Sequence, residues 1–264
     1  MSDELSGIKI EALKAFACEL ADAAAEVSLA YFKKPLTVDN KEGDTGFDPV
    51  TEADKKAEKA IRALIDARFP DHSIFGEEYG KKITDSPFEW VLDPIDGTRA
   101  FISGLPTWGT LIALKHKGEP VIGVIDQPYL KERYLGWTTG ATLNGRPITT
   151  RKAPSLDKTT VSTTDLALFT EGEYGAFQTL LKNSRLVRYG LDCYAYAVLS
   201  AGHIDIVAES GLKPYDMMAL IPVVRGAGGT ATNWEGNSAG DRGRLLAVGN
   251  PGLTAEIIEI LANN

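Results

Sequence analysis

Ten residues in the first half of the chain carry its clearest structural signal: Trp90-Val91-Leu92-Asp93-Pro94-Ile95-Asp96-Gly97-Thr98-Arg99. The apolar run from Trp90 to Leu92 predicts a buried strand, and Asp93 and Asp96 come directly after it. Pro94 fixes φ and cannot donate a hydrogen bond, so the chain turns as it leaves the strand and both carboxylates can face one point. Two carboxylates about 4 Å apart repel by roughly 4 kcal/mol at an effective dielectric of about 20, and a bound divalent cation would remove that cost.

The residues after this pair predict an anion site beside the cation. Gly97 lets the backbone approach a ligand closely, and the amides of Asp96, Gly97 and Thr98 would form a partially positive cradle if they open a helix. Carboxylate oxygens select hard ions such as Mg²⁺ over zinc. A cation next to such a cradle is typical of a phosphate site. The simpler interpretation is that Asp-Pro-x-Asp-Gly forms an ordinary turn.

Two other segments place acids at the ends of predicted strands. Gly76-Glu77-Glu78 follows an apolar run, and Tyr215-Asp216 opens a predicted helix. Functional side chains concentrate at such ends, although acids at a helix start can also be simply solvated. The pair Thr51 and Asp54 has the spacing of a capping box, which alone would explain both residues.

Apolar spacing along the rest of the chain predicts alternating helices and strands, and therefore an α/β fold. Helices are predicted from Leu13 to Tyr31, after Thr51, and near 172–182, 193–201, 216–224 and 255–261. Strands are predicted at 73–75, 90–92, 110–115, 121–125, 159–163, 185–189, 204–207 and 245–248. Tight turns are predicted at Gly118 and at Asn144-Gly145. We expect one catalytic unit over residues 1–264, with lobes of approximately 1–150 and 151–264 and a ligand cleft between them.

Composition excludes several classes of function. The formal net charge of −8 disfavours nucleic acid and anionic membranes as partners. The two cysteines, Cys18 and Cys193, stand far apart, which argues against a disulfide framework or a thiolate zinc site. The acids Asp3, Glu4 and Glu11 interrupt any signal-peptide pattern, and no apolar run approaches the length of a membrane span. These features predict a cytoplasmic protein.

Four motifs together resemble the inositol monophosphatase family of Mg²⁺-dependent, lithium-sensitive phosphatases. They are Asp48-Pro49-Val50-Thr51-Glu52-Ala53-Asp54, Gly76-Glu77-Glu78, Trp90 to Thr98, and Lys213-Pro214-Tyr215-Asp216 followed by Ala227-Gly228-Gly229. The resemblance runs over nearly the whole chain. It implies a layered α-β-α-β-α sandwich of the inositol monophosphatase and sugar phosphatase type, and a homodimer.

The resemblance also implies a role for each site residue. Two or three Mg²⁺ ions, with Mn²⁺ as an alternative, would be bound by Glu77, Asp93, the carbonyl of Ile95, Asp96 and Asp216, and Asp93 would bridge two ions. Gly97 and Thr98 would hold the phosphate. Glu77 and the pair formed by Asp54 and Thr98 would be catalytic, orienting water. The lysine of the family's metal loop corresponds to Lys41.

Within the family, three stretches look most like the branch that hydrolyses L-histidinol phosphate in histidine biosynthesis. These are 97–110, 188–194 and 209–216. Glu209, seven residues before Asp216, matches the position that contacts the leaving alcohol, and Asp192 adds a second acid that suits a cationic amino alcohol. Asp192 could instead cap the helix that follows it. We rank L-histidinol phosphate above myo-inositol 1-phosphate or a range of sugar phosphates, and place a binding module without catalysis last.

Overall fold

A computed structural model gives the structure of the chain and describes residues 7–35, 37–41, 49–240 and 243–262. Asp3 and Glu4 of the predicted N-terminal segment and Asp48 of the first motif lie outside these residues.

A short antiparallel ribbon precedes a large sheet of eight strands. The ribbon consists of β1 (Val38–Asn40) and β2 (Pro49–Thr51). The large sheet contains β3 (Ser73–Gly76), β4 (Gly80–Lys82), β5 (Phe88–Asp96), β6 (Gly109–His116), β7 (Glu119–Gln127), β8 (Glu132–Trp137), β9 (Gly140–Leu143) and β10 (Arg146–Pro147). Its spatial order is β10-β9-β8-β7-β6-β5-β3-β4, and only the pairing of β3 with β5 is parallel.

A second sheet has five strands in the order β12-β11-β13-β15-β14. Its members are β11 (Thr160–Thr163), β12 (Leu186–Tyr189), β13 (Ile206–Leu212), β14 (Thr230–Thr232) and β15 (Gly243–Val248). β11 runs parallel to β12 and β13, so the carboxyl ends of these three strands meet at one edge of the sheet.

Eight α-helices flank the sheets within the described residues. They are α1 (Gly7–Tyr31), α2 (Glu52–Arg68), α3 (Thr98–Ile102), α4 (Glu171–Lys182), α5 (Tyr194–Ser200), α6 (Pro214–Met217), α7 (Leu220–Gly226) and α8 (Thr254–Ala262). None of them is long and apolar enough to cross a membrane.

Three of the four hydrophobic cores join the helices and sheets in five layers. The first core joins α1 and α2 to one face of the large sheet, through residues such as Trp90 and Leu92. The second lies between the two sheets and contains α5 and α7 together with Val91 of β5. The third joins the far face of the second sheet to α4 and α8. Because successive strand residues point to opposite faces, neighbouring residues of β5 enter different cores. The predicted α-β-α-β-α sandwich is confirmed.

Most of the predicted elements are present, and four differ clearly in extent. The helix predicted from Leu13 begins at Gly7. The strand predicted at 90–92 continues to Asp96, because a register shift against β6 between Asp93 and Asp96 absorbs the turn at Pro94. The strand predicted at 204–207 instead spans Ile206–Leu212. The helix predicted at 216–224 is two helices, since Pro222 cannot donate to the carbonyl of Met218 in a continuous helix. The strands β1, β2, β4, β8, β9, β10 and β14 were not predicted.

Candidate active site

The end of β5 forms the centre of the site. The amide of Ile95 donates to Asp93 Oδ1 at 3.1 Å, and Thr110 Oγ1 donates to the carbonyl of Pro94 at 2.8 Å. Gly97 adopts a left-handed φ of 78°, and α3 begins at the next residue. A Cβ at Gly97 would lie 2.9 Å from Asp192 Cγ, so a glycine is required here by both the backbone and the neighbour.

Three carboxylates converge where β5 meets the start of α6. One oxygen from each of Asp93, Asp96 and Asp216 lies within 4.8 Å of the others. Asp96 Oδ2 accepts a hydrogen bond from the amide of Cys193 at 2.7 Å, and Asp216 Oδ2 accepts one from the amide of Lys213 at 2.7 Å. The first contact holds Asp96 from the start of α5, and the second is a capping contact at the start of α6, the helix that carries Asp216 itself.

Glu77 brings a fourth acid to this group from the loop between β3 and β4. Its amide donates to the carbonyl of Leu92 on β5 at 3.1 Å, which holds the loop next to Asp93. Lys41 Nζ contacts Glu77 Oε1 at 2.9 Å and Glu78 Oε1 at 2.6 Å. The lysine predicted for the metal loop therefore lies at the acidic cluster.

Burial and mutual repulsion raise the pKa of these carboxyls. The pKa of Asp93 is raised well above its usual value by burial and then by Glu77, Asp96 and Asp216. Burial followed by Asp192 and Asp216 does the same for the pKa of Asp96. The pKa of Asp216 rises to about 7, mainly through burial. Charged carboxylates at this density need a cation, and a set of carboxylate and carbonyl oxygens is suited to a hard divalent ion.

Asp54 lies behind this cluster at the start of α2. Its Oδ2 accepts hydrogen bonds from the amide and hydroxyl of Thr51, at 2.9 and 2.6 Å, and the predicted capping box is present. Its Oδ1 is 3.5 Å from Thr98 Oγ1, which also lies 3.0 Å from the carbonyl oxygen of Ile95. Burial raises the pKa of Asp54 to about 6. Asp54 thus serves as a helix cap and also contacts the site through Thr98.

A cavity of about 570 Å³ opens in front of the acids. Its walls include all the other predicted site residues, namely Glu77, Asp93, Ile95, Asp96, Gly97, Thr98, Asp192, Glu209 and Asp216. Ligand pockets commonly have this size, so a small phosphate ester fits.

Glu209, on β13, also lines the cavity. Its carboxylate accepts hydrogen bonds from the hydroxyls of Thr164 and Tyr196, and Tyr196 Oη lies 3.0 Å away. The Thr164 hydroxyl in turn accepts from the amide of Asp192 at 3.1 Å. Burial raises the pKa of Glu209 to about 7. Glu209 and Asp192 are therefore linked through one threonine.

The helix-cap interpretation of Asp192 is wrong. Asp192 has a left-handed φ of 48°, and Cys193 takes the capping position of α5 without a side-chain hydrogen bond. Burial raises the pKa of Asp192 to about 6, and Arg99 opposes that shift. Arg99 Nη1 also lies 3.5 Å from Asp165 Oδ2. Asp192 therefore faces the cavity together with Arg99.

Sequence reasoning missed Thr164 and Tyr196. Thr164 directly follows β11, whose carboxyl end lies beside that of β13. A polar residue just after a predicted strand could therefore have been named as a site candidate. Tyr196 is buried on α5, and an isolated aromatic residue in an apolar helix indicates only core packing.

Comparison with known proteins identifies relatives along nearly the whole chain. The family model described as inositol monophosphatase family matches residues 9–264. The chloroplastic bifunctional phosphatase IMPL2 of Arabidopsis thaliana is 46% identical over 88% of this chain and 67% of its own length. The histidinol-phosphatase of Chlorobaculum parvum is 36% identical over 94% of this chain and 95% of its own.

A solved structure of an inositol monophosphatase from Zymomonas mobilis superposes with a TM-score of 0.87 at 39% identity, covering 99% of this chain and all of that one. The similar proteins thus carry two different substrate names within one fold. The chain belongs to the inositol monophosphatase family of phosphatases.

Proposed function

We propose that the protein is a Mg²⁺-dependent phosphomonoesterase that hydrolyses L-histidinol phosphate to L-histidinol and phosphate. The observation that carries this proposal is the cavity itself, which brings Glu209 and Asp192 together with the four acids. The family is in general metal-dependent, which supports a cation at the four acids. The names of the similar histidinol-phosphatases support a cationic alcohol beside Glu209 and Asp192.

Glu77, Asp93, Asp96, Asp216 and the carbonyl of Ile95 would hold two or three Mg²⁺ ions, with Mn²⁺ as an alternative. All five groups offer oxygen atoms, the ligand type that these ions prefer. Asp93, the buried member of the cluster, would hold Mg²⁺ together with the other acids. Bound Mg²⁺ would supply positive charge to the phosphoryl oxygens and lower the pKa of the attacking water.

The residues of the chain place the reacting groups. Gly97 and Thr98 hold the phosphate through backbone amides at the turn into α3, and the amides stabilise the charge that develops on its oxygens. Glu77 and the pair formed by Thr98 and Asp54 orient the water and accept its proton. The water oxygen bonds to phosphorus in line with the ester oxygen, the P–O ester bond breaks, and the leaving alkoxide takes up a proton to become the alcohol.

Glu209 and Asp192 recognise the leaving alcohol. A carboxylate in a cleft shielded from water discriminates strongly between a cationic ammonium group and a neutral group of the same size. Two acids linked through Thr164 would thus favour the amino alcohol L-histidinol.

The second candidate substrate is myo-inositol 1-phosphate, or a range of sugar phosphates. Glu209 favours it as well, since a carboxylate accepts hydrogen bonds from hydroxyl groups, and an inositol monophosphatase is among the similar structures. A ligand-binding module without catalysis is the candidate from another class. The complete set of acids in one cavity argues against it.

Phosphate release from L-histidinol phosphate tests the proposed chemistry. The purified protein is assayed with Mg²⁺, with excess EDTA, and with Mg²⁺ restored after EDTA. We expect release with Mg²⁺, none with EDTA, and recovery on restoration. Release that is equal in all three samples would refute metal dependence, and binding of the ester without release would support the binding module.

Replacing Glu209 by glutamine is expected to lower kcat/KM for L-histidinol phosphate by about 10- to 100-fold, the worth of one charged hydrogen bond. The loss should lie mainly in KM, because Glu209 would contact the alcohol and is not among the residues proposed to hold the metal ions or the phosphate. The internal control is myo-inositol 1-phosphate, which carries no cation and should lose less than about fivefold. Equal losses on both substrates would refute recognition of an ammonium group by Glu209.

The resemblance also leads us to propose a cytoplasmic homodimer. Sedimentation of the purified protein would test the dimer.

A further inference from the structure

Glu58 is a fully buried acid on α2 that stands outside the cavity. It lies one helical turn after Asp54, so both acids project from the same face of the helix. Arg62 Nε donates to Glu58 Oε1 at 2.7 Å and neutralises its charge. A buried carboxylate is tolerated only when it is paired and fully hydrogen-bonded, which raises the question of its other partners.

Those partners are the backbone amides of the loop that carries Glu77. The amide of Glu78 donates to Glu58 Oε2 at 2.7 Å, and the amide of Tyr79 donates to Oε1 at 3.2 Å. Arg62 completes the contact by donating to the carbonyl of Gly80. The Glu58 carboxylate thus accepts the backbone hydrogen bonds that the carbonyls of a neighbouring strand would accept in a sheet.

Backbone hydrogen bonds hold this loop from two directions. Residues 77–79 connect β3 and β4, which pair up to Gly76 and Gly80. The amide of Glu77 is held by the carbonyl of Leu92 on β5, and the next two amides are held by Glu58. The backbone that carries Glu77 is therefore held by β5 on one side and by α2 on the other, while Lys41 contacts the Glu77 carboxylate itself.

Gly76 is a second, independent sign of this arrangement. A Cβ built at Gly76 would lie 2.0 Å from Glu58 Oε1 and 2.8 Å from Oε2. No side chain larger than hydrogen fits there unless the Glu58 carboxylate moves. The glycine of the Gly-Glu-Glu segment is thus matched to the acid on α2.

We propose that Glu58 is a positioning residue that holds Glu77 against Asp93 and thereby sets the affinity of the site for divalent cations. This inference rests on the proposed function. Residues that orient metal ligands commonly change metal affinity by about 10- to 100-fold when they are altered. Because Glu58 touches neither the cavity nor the reacting atoms, its effect should appear in metal binding and hardly at all in the chemical step.

The test is direct binding of Mn²⁺ by electron paramagnetic resonance to Glu58→Gln, without substrate. Glutamine keeps the volume of the side chain, but its NH₂ group would face a backbone N–H donor or Arg62. We expect Mn²⁺ to bind at least about tenfold more weakly than to the wild type. The Mg²⁺ concentration that gives half-maximal phosphate release should rise by a similar factor, while kcat at saturating Mg²⁺ stays within about threefold.

Glu89→Gln is the matched control. Glu89 lies on β5 and pairs with Lys115 at 2.9 Å, so this variant also breaks one partly buried ion pair, in the sheet on which α2 packs. It should leave Mn²⁺ affinity unchanged. Gly76→Ala is the second test variant, because its methyl group displaces the Glu58 carboxylate and should weaken Mn²⁺ binding as Glu58→Gln does.

The outcomes separate this inference from the proposed function. Weaker Mn²⁺ binding in Glu58→Gln, with retained kcat at saturating Mg²⁺, supports the positioning role. A lower melting temperature with unchanged Mn²⁺ affinity would overturn it and leave Glu58 a stability residue. If Glu58→Gln does not fold, Gly76→Ala decides by the same criteria. A wild type that neither binds Mn²⁺ nor releases phosphate would overturn the proposed function itself.

Discussion

Replacing Asp93 by asparagine is expected to lower phosphate release at saturating Mg²⁺ by at least about a thousandfold. Asp93 is the buried member of the group of four acids. Its burial, and then the charges of Glu77, Asp96 and Asp216, raise its pKa. A metal ion contributes several kcal/mol to stabilising phosphoryl charge, and each 1.36 kcal/mol corresponds to about tenfold in rate. The measurement is kcat/KM from phosphate release over a range of Mg²⁺ concentrations.

The same variant should be folded, and without metal it should be more stable than the wild type. Asparagine removes one of several repelling buried charges, so the EDTA-treated variant is expected to melt at a higher temperature than the EDTA-treated wild type near about pH 8. Asp85→Asn, which alters an exposed acid, is the control and should behave as the wild type in both assays. Full activity of Asp93→Asn at ordinary Mg²⁺ concentrations would contradict the proposed metal site.

The second prediction is that the melting temperature of the protein depends on pH, and that Mg²⁺ changes this dependence. In the metal-free protein the pKa of Asp216 and of Glu209 is about 7, and that of Asp192 and of Asp54 is about 6. Burial is the main cause in each case. Since these pKa values are raised on folding, the folded chain holds more protons than the unfolded chain between about pH 4 and pH 7.

The sign of the effect follows from this difference in bound protons. The stability that these groups contribute is present at low pH and is lost as pH rises through about 6 to 7. We expect the melting temperature of the EDTA-treated protein to fall between about pH 5.5 and pH 8. Groups with lowered pKa, such as Glu173, titrate below this interval and do not reverse the trend.

Mg²⁺ should reverse this trend, because it binds the deprotonated carboxylates and its binding strengthens as pH rises. At about pH 8 and saturating Mg²⁺, we expect a melting temperature about 10 °C above that in EDTA, and a smaller difference at about pH 5.5. Differential scanning calorimetry in matched buffers would measure both. An equal Mg²⁺ effect at the two pH values would contradict metal binding by these acids.

The centre of the site could be predicted because its chemistry is local in sequence. Asp93, Pro94, Asp96 and Gly97 lie within one turn, and the physical properties of those residues alone indicate a cation beside an anion cradle. Apolar periodicity predicted the α/β class, whereas the five-layered sandwich was implied only by the resemblance of the motifs to the family. Glu77 and Asp216 come from distant segments, and only the resemblance connected them to this centre before the structure showed all four in one cavity.

The role of Glu58 and the extent of β13 could not be predicted, because both depend on contacts that leave no pattern in the sequence. Glu58 binds backbone amides, so the residues it contacts could be of any type, and its position among apolar residues of α2 indicates only a paired buried acid. The extent of β13 to Leu212 depends on its pairing with β15, which apolar periodicity cannot reveal past Val207. Glu209 therefore lies within a strand and not in a loop after it.

The most direct test of the account compares two substrates side by side. Catalytic efficiency would be measured on L-histidinol phosphate and on myo-inositol 1-phosphate, each with Mg²⁺, with EDTA and with added lithium. We expect release that requires Mg²⁺ and is inhibited by lithium, with kcat/KM at least about a hundredfold higher on L-histidinol phosphate, or roughly 2.7 kcal/mol in transition-state binding. A preference for myo-inositol 1-phosphate would contradict the assigned substrate, and the absence of metal-dependent release from either ester would contradict the phosphatase mechanism.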